Sequence, residues 1–340
     1  MPMLSSFISG CAGEALSGDE WRFFQDARPC GLILFKRNCR EPEQVKALVN
    51  AFKDAIGSDD LLVLIDQEGG RVQRLAPPHW RKLPPAAAFG KLWREDADFA
   101  AAAARAVFRL VAMDLRALGI NCNCAPLLDL PVPGMSDAIG DRAFGPDAGM
   151  IAELGRAVAN GLLAGGVLPV IKHLPGHGRA TADSHKVLPV VDAALDTLAE
   201  TDFAPFRDLR DLPIGMTAHI LYTNIDRTGP ATTSRLIVDT IIRGEIGFGG
   251  LLLSDDLGME ALKGSVGERA GAVLAAGCDV ALQCSGRLVE MVETAGAVGE
   301  LEGRAEERFV AALARRRAPE AFDASQAMET LAEVMAVTGG

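Results

Sequence analysis

The residues best suited to chemistry are few, and they are unevenly spread. Only five histidines occur in 340 residues. Three of them, His173, His177 and His185, fall in the stretch Lys172-His173-Leu174-Pro175-Gly176-His177-Gly178-Arg179-Ala180-Thr181-Ala182-Asp183-Ser184-His185. Asp183 lies two residues before His185. A carboxylate so placed can fix the tautomer of an imidazole and raise its basicity, which proton transfer near neutral pH requires. The proline and glycines of this stretch argue against a continuous helix, so His173 and His177 do not read as two metal ligands on one helical face. Asp255 is a candidate nucleophile or charge stabiliser, and Asp256 beside it would share that role or hold the loop. Arg74, Arg142 and Lys172 would offset the gathered negative charge and donate to hydroxyls, carbonyls or carboxylates. Such a set suits a polyhydroxylated, partly anionic ligand.

Elements that could position these groups recur along the chain. Apolar runs at 6–10, 31–35, 61–66, 119–126, 167–173, 214–220, 250–256 and 279–284 alternate with helix-like segments near 18–27, 42–56, 95–117, 149–164, 193–209, 234–244, 265–276 and 286–296. Runs that are apolar on both faces fit strands covered by helices on one side and packed on the other. Eight βα repeats in series predict an α/β fold, a closed (β/α)8 barrel of the TIM type rather than an open sheet. No Pro-, Gly- or Ser-rich linker divides the chain, which reads as a single domain over 1–340, with 303–337 as extra helices packed peripherally. In such a barrel, functional groups belong just past the C-terminal strand ends. Asp66, Lys172, His173, His219, Asp255 and Asp256 all end apolar runs, and Arg74 and Arg142 follow in the loops.

Composition narrows the function classes. A net charge of −11 with 49% apolar residues suits a folded chain with a large core and argues against a nucleic-acid or anionic-membrane partner. Seven cysteines, an odd number without a CxxC pair, make a disulfide framework or a structural zinc site a poor expectation. The N-terminus lacks the basic region of a secretory signal, and the apolar stretch at 157–171 is too short to span a bilayer. The expectation is a cytoplasmic chain with reduced thiols, no stable membrane association and no obligate protein partner. Without a GxGxxG or Walker pattern, no nucleotide cofactor is expected, and neither is a metal.

Three motifs then carry a resemblance. Ile65-Asp66-Gln67-Glu68-Gly69-Gly70-Arg71-Val72-Gln73-Arg74, the 172–185 stretch, and Leu251-Leu252-Leu253-Ser254-Asp255-Asp256-Leu257-Gly258-Met259-Glu260 together resemble the glycoside hydrolase family 3 β-N-acetylhexosaminidases of bacterial peptidoglycan recycling. The resemblance spans about 1–300 and implies a (β/α)8 barrel. It also implies Asp255 as nucleophile, His185 as general acid/base on a mobile loop at 175–187, and Asp183 as its dyad partner. Sugar binding would fall to Asp66, Arg74, Arg142, Lys172 and His173. Arg179 stands where a carboxylate is common in the family, and Gly258 where a serine is frequent. The implied reaction is retaining exo-hydrolysis of the β-1,4 bond of GlcNAc-1,6-anhydro-MurNAc, with or without its stem peptide. Because an imidazole repels an incoming anion less than a carboxylate does, a phosphorylase is the alternative. A non-catalytic sugar-binding barrel, or a metal-dependent hydrolase using His173, His177 and His219, is further removed.

Other residues have plainer readings. His79 sits in a proline-rich loop, and Met216 reads as core. Cys122 and Cys124 alternate with Asn121 and Asn123, so they face one side of a strand as small apolar fillers. Asp129, close before Pro131, reads as a turn former more than an inward carboxylate. His219 could equally line a pocket or satisfy a backbone carbonyl.

Overall fold

The computed structural model describes residues 3–184 and 186–338. In chain order the elements are β1 (Ser5–Ser9), α1 (Gly18–Ala27), β2 (Pro29–Leu34), α2 (Pro42–Ile56) and β3 (Leu62–Ile65). A hairpin of β4 (Gln67–Gly69) and β5 (Val72–Gln73) follows, then α3 (Ala86–Glu95), α4 (Ala97–Ala117), β6 (Cys122–Asn123) and α5 (Ala148–Ala164). Next come β7 (Leu168–Leu174), β8 (Val190–Val191), α6 (Leu195–Glu200), α7 (Ala204–Asp208), β9 (Ile214–Thr217) and β10 (Leu221–Tyr222). A π-helix (Ile237–Glu245), β11 (Leu251–Asp256), α8 (Val266–Ala276), β12 (Val280–Gln283), α9 (Leu288–Ala297), α10 (Gly303–Ala314) and α11 (Ala324–Ala336) complete the chain.

Eight parallel strands close on themselves in the order β1-β12-β11-β9-β7-β6-β3-β2. This is the (β/α)8 barrel expected from the apolar runs. Inside it, Ile8, Ile33, Leu64, Cys122, Cys124, Val170, Met216, Leu253 and Leu282 form one apolar cluster. The two cysteines face inward as their alternation required. Asn121 and Asn123 turn the other way and extend the ladder to β3. Asn121 accepts from Val63 N at 2.8 Å and donates to Leu61 O at 2.8 Å, while Asn123 accepts from Gln67 N at 2.9 Å. Several helices start where the sequence supplies caps. Ser17 and Glu20 form a capping box on α1, as do Ser265 and Glu268 on α8, and Asp96 and Asp147 cap α4 and α5.

Three local expectations change. The segment 193–209 is two short helices, because the chain turns inward at Asp202 and restarts with Pro205 in the first turn of α7. Helix α3 occupies a stretch just beyond the proline-rich loop, to which the sequence pattern assigns no element, and it begins directly after Pro85. The third concerns 303–337. Helix α11 packs on α4 and α3, but α10 does more than cover an outer face. Leu301, Phe309 and Ala312 belong to the cluster that fills the barrel interior. Arg308 donates to Asp279 at 2.7 Å, at the start of β12, and Asp279 also receives Arg243 at 2.8 Å and Leu252 N at 2.8 Å. Helix α10 therefore closes the end of the barrel where the strands begin, opposite the mouth.

That closure predicts a measurable cost. Phe309→Ala should lower the unfolding free energy by about 3 kcal/mol, the usual scale for emptying a buried phenylalanine site. Urea denaturation tests it; a change below about 1 kcal/mol would mean α10 is not part of the barrel's packing.

Candidate active site

The polar residues that end the strands converge on one cavity of about 310 Å³ at the C-terminal mouth. Asp66, Arg74, Arg142, Lys172, His173, Asp255 and Asp256 all line it. Its apolar wall includes Phe35, with the Arg74 guanidinium 5.3 Å from the ring centroid, and Met216, which is core and pocket floor at once.

Lys172, near the end of β7, is 2% exposed. Its Nζ donates to Asp66 Oδ1 at 2.9 Å and lies 2.6 Å from Glu68 Oε1. Arg74 donates to the other oxygen of Asp66 at 2.9 Å. Arg142 grips Glu68 through Nε and a terminal nitrogen, each at 2.9 Å. Burial alone would raise both carboxyl pKa values, but Lys172 with Arg74 at Asp66, and Lys172 with Arg142 at Glu68, outweigh it and hold both groups well below their ordinary values. Lys172 is pushed up in turn: burial opposes its charge, and Asp66 and Glu68 overcome that. Glu68 was not singled out from the sequence. It lies two residues beyond Asp66 at the root of the β4–β5 hairpin, and that alternation was the available signal. The hairpin turns at Gly69 and Gly70, whose φ angles of 105° and 55° favour glycine.

Asp129 overturns its expected role as a turn former. It is fully buried, with Oδ2 accepting from His173 Nδ1 at 2.7 Å. Its Oδ1 accepts from the backbone amides of His173 at 3.2 Å and His177 at 2.7 Å. The chain beyond β6 stays beside β7, with the amide of Leu128 donating to the Lys172 carbonyl at 2.7 Å, and this delivers the carboxylate to the imidazole. Burial would raise Asp129, but His173 and the His177 amide help bring it below the ordinary carboxylate value.

At the end of β11 two neighbouring carboxyls move apart. Asp255 Oδ1 accepts from the Asp256 amide at 2.8 Å. Burial opposes its charge, but the imidazoles of His219 and His173, this amide and Lys172 hold it below the usual value. Asp256 is raised, first by burial and then by the charge of Asp255, against donation from the Gly258 and Cys284 amides. Asp255 is therefore the better-ionised of the pair, and Asp256 ties its loop to the end of β12. His219 is fully buried and its Nε2 donates to the Asp256 carbonyl at 2.9 Å, so it supports the loop and is not among the cavity-lining side chains. His177 and Ser184 do line the cavity, and His177 Nε2 is 3.2 Å from Ser184 Oγ. Asp183 is half-buried beside Ser184. His185 lies outside the described residues. His79 is exposed, as its loop suggested. Among the described residues, no group of three or more His, Cys, Asp or Glu is arranged to hold a metal.

A closed parallel barrel with carboxylates and cations gathered at one polar mouth is an enzyme architecture of many chemistries, and the comparisons narrow it. The pattern described as Glycosyl hydrolase family 3 N terminal domain matches residues 16–316, and the chain belongs to that family. Among its relatives is the beta-hexosaminidase of Aromatoleum aromaticum, 40% identical over 278 residues, covering 81% of this chain and 77% of that one. The beta-hexosaminidase of Thiobacillus denitrificans is 41% identical over 286 residues, covering 83% and 79%. The crystal structure of NagZ from Neisseria gonorrhoeae in complex with N-trifluoroacetyl-D-glucosamine superimposes with a TM-score of 0.86 at 32% identity, covering 99% of each chain.

The buried imidazole of His177 supplies a pH test. Burial, with His173 acting the same way, depresses it to about 4 from 6.5, against the opposing charges of Asp129 and Asp255. Between those values the unfolded chain binds the extra proton, so this contribution is complete above pH 6.5 and is lost as pH falls towards 4. His177→Gln should therefore give a shallower acid loss of stability in that window by urea denaturation. Parallel curves for the two proteins would contradict the assignment.

Proposed function

We propose that the chain, a family 3 β-N-acetylhexosaminidase, is a retaining exo-β-N-acetylglucosaminidase that cleaves the β-1,4 bond of GlcNAc-1,6-anhydro-MurNAc, with or without a stem peptide. The observation that carries this reading is Asp255, which lines the cavity at the end of β11 with its carboxyl held below the ordinary value, beside the paired Asp66, Glu68, Arg74, Arg142 and Lys172. Its carboxylate attacks the anomeric carbon as the glycosidic bond breaks, and His185 gives its proton to the leaving oxygen. Water then attacks the glycosyl-enzyme, losing its proton to His185, and Asp255 is released. Asp183 orients and supports His185. Asp66, Arg74, Arg142, Lys172 and His173 bind the sugar hydroxyls, as the polar wall of the cavity suits.

No cofactor or metal enters this mechanism. The muropeptide beyond the scissile bond leaves through the open mouth towards solvent. No helix among the described residues is long and apolar enough to cross a membrane. All seven cysteines are free thiols, which suits a reducing compartment, and we place the enzyme in the cytoplasm.

Turnover of a β-GlcNAc glycoside with and without inorganic phosphate tests the reading. The expected product is free GlcNAc in both cases, formed first as the β-anomer; GlcNAc-1-phosphate as the main product would make the enzyme a phosphorylase. Asp255→Ala should lower kcat by about 10⁴-fold or more while leaving the unfolding transition in place, the scale expected for losing a nucleophile. Substantial remaining activity would remove Asp255 from that role.

A further inference from the structure

A serine in an outer loop would ordinarily turn its hydroxyl to water. Ser184 does not: it is 3% exposed, faces the cavity, and its Oγ meets His177 Nε2 at 3.2 Å. Its neighbours Thr181, Lys186 and Val187 are exposed, so the loop as a whole is not buried.

His177 is a fixed post. Its backbone amide is held by Asp129 at 2.7 Å, and its ring packs edge-on against His173 with centroids 5.5 Å apart. The chain on both sides is pinned as well. The Tyr222 hydroxyl donates to the Gly176 carbonyl. Gly178 passes so close to the Leu130 carbonyl that an added Cβ would sit 1.8 Å from that oxygen. Arg179 donates to Asp202 at 2.6 Å and to Thr201 at 2.9 Å. The root of the loop is thus anchored over 176–179, the chain then runs outward, and it returns to its own root through Ser184.

We propose that the His177–Ser184 hydrogen bond docks the Asp183–Ser184 stretch of the loop against the cavity, making Ser184 and His177 positioning residues for proton transfer. The inference rests on the reading of His185 as general acid/base. Ser184 touches no reacting atom; it acts by holding its two chain neighbours in place. A hydroxyl can donate or accept, so it complements either tautomer of a neutral imidazole. The burial that keeps His177 neutral also preserves the acceptor that a protonated ring would lack. One such bond favours the docked loop modestly, so its loss should slow the acid-assisted step without abolishing it.

The test compares kcat/KM for two substrates. N,N′-diacetylchitobiose has a sugar leaving group that needs protonation, whereas 2,4-dinitrophenyl β-GlcNAc has a leaving group that does not. Ser184→Ala should lose about tenfold on the disaccharide and less than about twofold on the dinitrophenyl glycoside. Ser184→Thr, which retains the hydroxyl, should recover most of the loss. His185→Ala, measured alongside, should show the same selectivity with a larger loss. If His185→Ala lacks that selectivity, the acid/base reading fails and the docking inference falls with it. If His185→Ala shows it but Ser184→Ala slows both substrates equally, or neither, docking is overturned and the acid/base reading stands.

Discussion

The buried ammonium of Lys172, held between Asp66 and Glu68, is the constraint on which the mouth of this barrel depends. An unpaired charge at that depth would be strongly unfavourable, and removing one partner from a buried ion pair costs about 3–5 kcal/mol. The pairing therefore dictates where other elements must go. Lys172 comes from β7 and Asp66 from the end of β3, two strands that are separated by β6 in the barrel. Glu68 requires the hairpin to fold back beside β3, and Arg142 brings in the distant turn after β6. One charge network thus fixes three loops at once. Among Arg74, Arg142, Lys172, Asp66 and Glu68 the formal charge is +1, and an ionised Asp255 on the same wall balances it. Through Lys172 the network helps stabilise a carboxylate at β11.

Such a network is a poor way to gain stability, since apolar residues of similar volume often serve as well or better in a protein interior. Its use here fits a division between the two ends of the barrel. The end where the strands begin is closed by α10 through Phe309, Ala312 and the Asp279 ion pairs. The mouth keeps a cavity lined with charged and polar side chains, which packing alone would have filled. The closed end supplies a rigid frame, and the mouth can hold its groups in positions that would be unfavourable on a loose scaffold.

Much of this architecture was legible because strand ends are marked by abrupt changes from apolar to charged residues. Ile65-Asp66, Ile171-Lys172 and Ser254-Asp255 each put a polar group where a barrel strand stops, so the rim could be assembled before any pairing was known. Asp129 was misread because proximity to Pro131 is a local signal, whereas its partner is 44 residues away in sequence. Glu68 was overlooked for a related reason: it belongs to a hairpin too short for alternation to be compelling. Helix α10 read as a peripheral addition because its amphipathic pattern shows that one face is buried, but not against what. In each case the missing information was the identity of a long-range partner.

One aspartate–histidine pair, Asp129 and His173, is built into the wall of the mouth, and the proposed acid/base pair belongs to the loop that follows β7. Asp129 is fully buried and committed to His173 and to two backbone amides, while His173 also lines the cavity. In the neutral ring, donation from Nδ1 to this carboxylate leaves Nε2 as an acceptor. The surrounding Lys172, Arg74 and Arg142 offer donors, so in the proposed sugar site His173 would supply the complementary acceptor. A group that shuttles a proton to a leaving oxygen and takes one from water needs a setting it can leave and re-enter. Asp183 and His185 belong to a loop that departs from an anchored root and returns through Ser184. Fixed geometry suits recognition, and a loop whose return to its root includes the Ser184–His177 contact suits proton transfer. On this reading, the spacing of the histidines separates binding from acid/base chemistry within one connection of the barrel.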